Sequence, residues 1–559
     1  MSPPDSVADR LVELQTLSQL FESRFERDGN DDDLRHAVTH LGSALAECKN
    51  AEESESLRSS IAALKLRLNE VVVPTVLEIP FDQVSDEPVS IAHAQPCKMR
   101  FIHCRSLADR RSLRVLEFAS IPPGRYVPLS YVWKGLGAPA GQPGSSFMTI
   151  RGAGDADPIS VSVLRLCCTA ALRHHVELLW LDGLCIQQES PADKNWQIQR
   201  MYDVYRLSAL CLIVPGGLAQ LAPLGTPTAW IHRAWTLQEA VAPPRSECLF
   251  AWDEGDTMLQ AHFTLILREI GPGAAIAEYE WLLQMCLLGR AGFQSDSDRK
   301  TDVRLLGGEQ DQFQLRALVG AHDLVGKEGL ANAIWRSSIS RAASRPADKV
   351  FSTMGVLGVT LDPSQFAPDD WRGATIALMQ ALLNQGKHAE WLCIAPELGV
   401  SGEIGTLPAL PDTGPDGRAV ADTPQGRRSV SELVHDSWWM LENAPQGSMS
   451  DDGYLEFHTR MACIQEVDSN SDCERSFSSV TGKDWKLLPK SDEKVLAAFI
   501  GRKSAYLNAT YGSFYNPANR VLMLLEEAAL GKYRVVDYAF VEEQIIKGDQ
   551  WQGKTVEVR

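Results

Sequence analysis

Apolar positions recur at helical spacing through residues 10–71. Leu14, Leu17, Phe21 and Phe25 form one stripe, Leu34, Ala37, Val38, Leu41 and Leu45 a second, and Leu57, Ile61, Leu64 and Leu68 a third. Residues three and four apart share a helix face, so the pattern predicts three short amphipathic helices. Between the first two, DGNDDD (28–33) predicts a turn and puts acidic residues at the next helix's N-terminus, where the macrodipole favours them. From about residue 75 the pattern changes to short strand-like runs with prolines, and over 126–255 strand and helix alternate, which predicts an α/β domain. ELLWLD (177–182) and SALCLIVP (208–215) are bounded apolar runs. The helix between them opens with SPADKNW (190–196), where Ser190 can cap, Pro191 suits the first helical position and Asp193 completes a capping box. Ile198, Met201, Tyr202 and Tyr205 then line one face, predicting a strand–helix–strand crossover with parallel strands.

Residues 256–400 read mostly as helices, as in QLRALVGAHDLV (314–325) and TIALMQALLNQG (375–386). The stretch 401–430 is rich in Gly, Pro, Asp and Thr and reads as a surface linker. GYLEFHTRMACIQEV (453–467) and KYRVVDYAFVEE (532–543) alternate as strands do. The expected layout is a helical N-terminal region 1–74, an α/β domain 75–260, a helical region 261–400, a linker 401–430 and a small mixed α/β C-terminal region 431–559.

Length and charge narrow the function classes. A chain of 559 residues exceeds what one core fills, so several domains are expected. With 54 Lys+Arg against 72 Asp+Glu the formal charge is −18, which lacks the field that would gather nucleic acid or anionic lipid. The N-terminus MSPPDSVADR has no basic region followed by an apolar run, and no stretch approaches the roughly 18 apolar residues of a membrane span, so a cytoplasmic protein is expected. The 12 cysteines include no C-x-x-C pair, which speaks against zinc and a disulfide framework and for buried small hydrophobes.

The stretch YVPLSYVWKGLG (126–137) runs an apolar strand into a tryptophan and two glycines. GLGAPA (135–140) formally fits a dinucleotide-binding turn. That turn needs a helix directly after it, and here Pro139, Pro143, Gly141, Gly144 and Gly152 extend an irregular segment. The reading adopted is a strand end with Gly135 and Gly137 turning the chain.

Three segments of the α/β block carry a resemblance: PLSYVWKG (128–135), LWLDGLCIQQESPADKNWQIQRMYDVYRLSALCLIV (179–214) and RAWTLQEAVAPPR (233–245). Ser130, Tyr131 and Trp133, then Trp180, Asp182, Cys185 and Gln188, then Arg233, Trp235 and Glu239 stand where the fungal heterokaryon-incompatibility (HET) domain has its hallmark residues. The block therefore resembles a HET domain. Lys134 and Val132 depart from the family pattern. RAASRPADKVFSTMGVLGV (341–359) and LPALP (407–411) are similar to segments that follow the domain in such proteins. Residues 20–46 look like one tetratricopeptide-type hairpin, or equally a helical cap.

The resemblance implies a role in non-self recognition and programmed death of incompatible fused fungal cells, and a fold distantly like TIR domains, with a parallel sheet flanked by helices. It leaves two mechanisms open. TIR domains include scaffolds, which implies self-association or protein partners with no cofactor, and enzymes that take NAD as substrate. For the second, WTLQE (235–239) resembles the TIR stretch with the catalytic glutamate, making Glu239 the candidate carboxylate for an oxocarbenium-like transition state. Asp182 ends a predicted parallel strand, where ligands of α/β sheets bind, and is the second catalytic candidate. Ser130, Tyr131, Trp133, Gln188, Arg233 and Trp235 are the candidate substrate contacts. Each has a plain structural alternative: Arg233 and Glu239 as an ion pair on a helix, Asp182 as a turn cap, Trp180 and Cys185 as core, and Gln187 and Gln188 on backbone. No metal site, nucleophile elbow, P-loop or kinase motif set is present in the sequence.

Overall fold

A computed structural model describes residues 7–28, 31–71, 74–85, 87–138, 146–154, 156–327, 329–415, 417–423, 426–434, 439–467, 475–489, 495–505 and 519–559. Pro139, Pro143, Gly141 and Gly144 lie outside the described residues, as does the centre of the DGNDDD turn.

Residues 1–77 with 115–119 form one compact unit. The three predicted helices are present as Val7–Asp28, Asp31–Glu47 and Ala51–Val71. Leu11, Leu34, Leu41, Leu57 and Leu64 are buried together, with Leu14, Phe21 and Phe25 packed against them. The stripes are thus the seams of a small helical core. Ser18, on the first helix, donates to the Ala37 carbonyl at 3.2 Å and ties it to the second.

The second unit holds the remaining residues, 78–114 and 120–559. Its central strands are β1 (Met99–His103), β2 (Tyr126–Tyr131), β3 (Leu178–Trp180), β4 (Cys211–Val214) and β5 (Ser246–Ala251), in spatial order β1-β3-β2-β4-β5. β2 pairs in parallel with both β3 and β4, β4 in parallel with β5, and β1 antiparallel with β3. Every residue of β2, β3 and β4 is buried, which is why they read as unbroken apolar runs rather than alternating ones. The predicted crossover helix is Pro191–Arg206 and joins parallel strands; β2 lies between them.

Ser190 caps that helix by accepting from the Asp193 amide. The expected capping box is not made: the Asp193 carboxylate is fully buried against Arg100 at 3.0 Å and also accepts from the Cys97 and Gln187 amides. The helical expectation for 261–400 fails over its first part. Strands Thr257–Gln260, Thr264–Gly271, Ala274–Glu278, Arg290–Phe293 and Asp296–Asp302 extend the sheet antiparallel beyond β5. In Thr264–Gly271, Leu265 and Leu267 face in, but Ile266 faces solvent and blurs the alternation. The expectation holds at Tyr279–Leu288, a helix set between these strands, and again at Gln312–Asp323, Leu330–Ile339, Asp348–Met354 and Trp371–Asn384.

Within 401–430, Ile404, Leu407 and Ala419 are buried, and short strands Asp412–Thr413, Ala419–Thr423 and Gly426–Ser429 pair in sequence, so this stretch is packed structure in place of an open linker. Among the described residues the C-terminal region is built of strands, apart from the short helix Val430–Leu433 at its start, rather than of mixed α/β structure. Strands Leu455–Val467, Val495–Ala505, Arg520–Ala529, Lys532–Val541 and Gln552–Val558 pair in a ring, the last returning to the first. A ring of pairings with no free edge is a small closed barrel. Ile464, Trp485, Leu522, Leu524, Ala539 and Trp551 fill its core.

Candidate functional site

The C-terminal ends of β2 and β3 bring the predicted residues together. Alternation along β2 sends Ser130 and Tyr131 to opposite faces. Ser130 is fully buried; its hydroxyl accepts from the Trp230 indole at 2.8 Å and donates to Glu239 Oε2 at 2.5 Å. Glu239 sits on the short helix Thr236–Val241, every residue of which is buried. Tyr131 donates its hydroxyl to Asp182 Oδ1 at 2.7 Å, and the Trp133 indole donates to Asp182 Oδ2 at 2.8 Å. Asp182 also accepts from the adjacent Gly183 amide; the short helical turn Asp182–Cys185 has Leu181 as its N-cap and no side-chain cap, so the main role of the Asp182 carboxylate is to clamp the two aromatics. Arg233 donates to the Tyr131 carbonyl at 3.3 Å.

Burial raises the Glu239 carboxyl to about 7; the Ser130 hydroxyl and the positive Arg233 and Arg341 pull it down, and the negative Asp182 pushes it up. Burial also raises Asp182, opposed by hydrogen bonds from Tyr131 and Trp133 and by Arg233.

Two candidates play other parts. Gln188 spends its amide on the Asp182 carbonyl at 2.9 Å, and Trp235 lies beside Asp348, where it counters the rise that burial imposes on that carboxyl. Gln187 likewise donates to the Ile91 and Ala94 carbonyls. Trp180 is fully buried, edge-on to Tyr205. Cys185 is fully buried and its thiol is pushed up to about 12 by burial, so it is protonated and no nucleophile. Sequence reasoning missed Trp230, which precedes the third motif, and Arg341, whose guanidinium reaches Thr236 Oγ1 at 2.7 Å. Arg341 opens the RAASRPADKVF segment, and that was the available signal.

A cleft of about 80 Å³ borders Tyr131, Trp133, Ile150 and Gly183; Glu239 is not among its walls. Ile150 also borders a larger cavity of about 310 Å³ lined by Ser90, Gln188 and Ser190. The loop leaving β2 uses its glycines differently. Gly137 has φ +71° and turns the chain, whereas a Cβ on Gly135 would lie 2.0 Å from the Gly216 carbonyl oxygen. Gly135 is there for close backbone approach. Among the described residues no group of three or more His, Cys, Asp or Glu could hold a metal, and no helix is long and apolar enough to cross a membrane.

Residues 126–224 match the family model described as "Heterokaryon incompatibility protein (HET)". The chain carries a HET domain, and the match covers the first two motifs and ends shortly before Arg233. No curated protein and no solved structure matches the chain.

Proposed function

We propose that the chain is a cytoplasmic recognition protein of the heterokaryon-incompatibility type. Its HET domain engages a protein partner or a second copy of itself, and the outcome is arrest or death of incompatible fused cells. The HET match carries the incompatibility part of this reading. The observation that favours binding over chemistry is the internal closure of the cluster. Both Asp182 oxygens and one Glu239 oxygen are committed to Tyr131, Trp133, Gly183 and Ser130. The adjoining cleft, at about 80 Å³, is also far below the roughly 300–1,000 Å³ of small-molecule sites.

One observation favours a second reading, cleavage of NAD at the nicotinamide–ribose bond. Glu239 is a buried carboxyl poised near neutrality, beside Asp182 and at the C-terminal edge of parallel strands, where substrates of open α/β sheets bind. In that case the ionised Glu239 would stabilise positive charge developing on the ribose. The cleft would first have to open between Tyr131 and Glu239.

Full-length wild type and Glu239→Gln, compared for NAD consumption and for killing on expression in a fungal host, separate the two. Gln keeps an acceptor for Ser130 and removes the charge. The binding reading expects killing by both chains and no NAD turnover by concentrated, folded wild type. Turnover that disappears in a folded Glu239→Gln chain would replace it with the enzyme reading.

A further inference from the structure

The segment RAASRPADKVF, residues 341–351, lies well beyond the HET match yet packs onto the Glu239 cluster. Ala342 and Arg233 form a parallel bridge, in which the Ala234 amide donates to the Ala342 carbonyl at 2.9 Å and the Ala342 amide to the His232 carbonyl at 2.6 Å. Arg341 is fully buried, and its Nη1 donates to the Arg233 carbonyl at 2.9 Å and to Thr236 Oγ1 at 2.7 Å. These two acceptors stand at the start of the helix that carries Glu239. Six residues after the bridge, Asp348 lies beside Trp235, whose indole helps offset the rise that burial imposes on the Asp348 carboxyl.

Arg341 Nη2 is buried without a hydrogen-bond partner among the described residues. A guanidinium stripped of water and lacking a direct carboxylate partner is tolerated only where the surrounding field is negative. Tyr279 and Glu239 both favour the charged form of Arg341, and Arg341 in turn favours the ionised form of Glu239.

The geometry points to Arg341 as a positioning residue of the Glu239 cluster: its guanidinium holds the Arg233 carbonyl and the Thr236 hydroxyl at the first turn of the Glu239 helix and brings a buried positive charge, in addition to that of Arg233, to that helix. Docking of the segment 341–348 therefore adds a buried positive charge to the cluster, and its release would raise Glu239 further above the usual carboxylate range. The other groups acting on Glu239 are the Ser130 hydroxyl, Asp182 and Arg233, with Tyr205 and Cys211 nearby. Both Tyr205 and Cys211 are raised by burial and stay uncharged. The inference goes beyond either reading of the site, because it concerns how the cluster is completed and not what it acts on.

The test uses the full chain and reads Glu239 directly, as the infrared carboxyl signal that disappears in Glu239→Gln, followed through the neutral pH range. Arg341→Gln keeps a donor for the Arg233 carbonyl but loses the charge, and is expected to move the Glu239 midpoint up from its wild-type value. Arg341→Lys keeps the charge and is expected to stay close to wild type. An unmoved midpoint in folded Arg341→Gln, or equal shifts in both variants, would overturn the proposal. So would the failure of both variants to fold, which would make Arg341 a folding residue only. NAD turnover and killing by the same chains bear on the function and leave this result unaffected.

Discussion

Glu239 illustrates how burial of one carboxyl becomes a property of the whole chain. Its folded-state pKa is about 7 against the usual 4.5, chiefly because the charged form is cut off from water. Between those two values the native state keeps a proton that the unfolded chain has released. Stability is therefore greatest below the unfolded value and falls as pH rises toward 7, after which this contribution is flat. At about 1.4 kcal/mol per unit the fall is on the order of 3 kcal/mol. Glu239→Gln cannot ionise and keeps an acceptor for Ser130. The expected result is a wild-type urea midpoint that drops between acid and neutral pH, and a variant midpoint that drops distinctly less. Parallel pH profiles for the two chains would mean that Glu239 is ionised in the native state throughout.

At the scale of elements, the loop that leaves β2 separates two uses of glycine. Gly137 needs a positive φ but faces open space, whereas Gly135 has the Gly216 carbonyl where its side chain would be. Ala at 137 should cost about 1 kcal/mol through backbone strain alone. Ala at 135 must push two loops apart, and should cost about 1–3 kcal/mol or more. Thermal melts of the two variants check the order, and a Gly135→Ala chain as stable as Gly137→Ala would show that the loops separate freely. The sequence offered only the conformational reading, because a close approach between residues 135 and 216 leaves no local trace. The same limit explains the other misses. β2, β3 and β4 were legible because continuous apolar runs bounded by turn residues have few other uses. The role of Asp193 was not, because its partner Arg100 stands 93 residues away. The strands over 257–302 escaped because Met258 and Ile266, cross-strand partners, are apolar yet about half exposed. Ser130, Asp182 and Glu239 were found through motifs, whereas Trp230 and Arg341 acquire their roles only when distant segments pack.

For the molecule as a whole, the HET match and the folded unit do not coincide. The match ends at 224, but β5 pairs along its outer edge with Ala274–Glu278, in register from Glu247↔Glu278 to Ala251↔Ala274. Thr228 donates to the Leu305 carbonyl, buried His232 pairs with buried Asp311 at 3.2 Å, and Arg341 braces Thr236. Asp311 is in turn held by Arg418 at 3.1 Å, so the stretch between the helices and the barrel is tied to the same cluster. A fragment cut at the boundary suggested by the sequence, 75–260, would lose every one of these partners. It would bare the backbone of β5 and leave Cys248, Leu249 and Phe250, all fully buried in the intact chain, at an open edge. It would also strand His232 in the interior without Asp311, and a buried ionisable group deprived of its partner is a costly defect. The fragment is therefore expected to bind a hydrophobic dye, to self-associate and to unfold without a sharp transition, while the full chain melts cooperatively in the same buffer. Near-ultraviolet circular dichroism and a calorimetric scan of both would decide it. A sharp calorimetric peak from the fragment would mean that the sheet closes on itself before residue 260, and that the later strands and helices are additions to a finished domain rather than parts of its core.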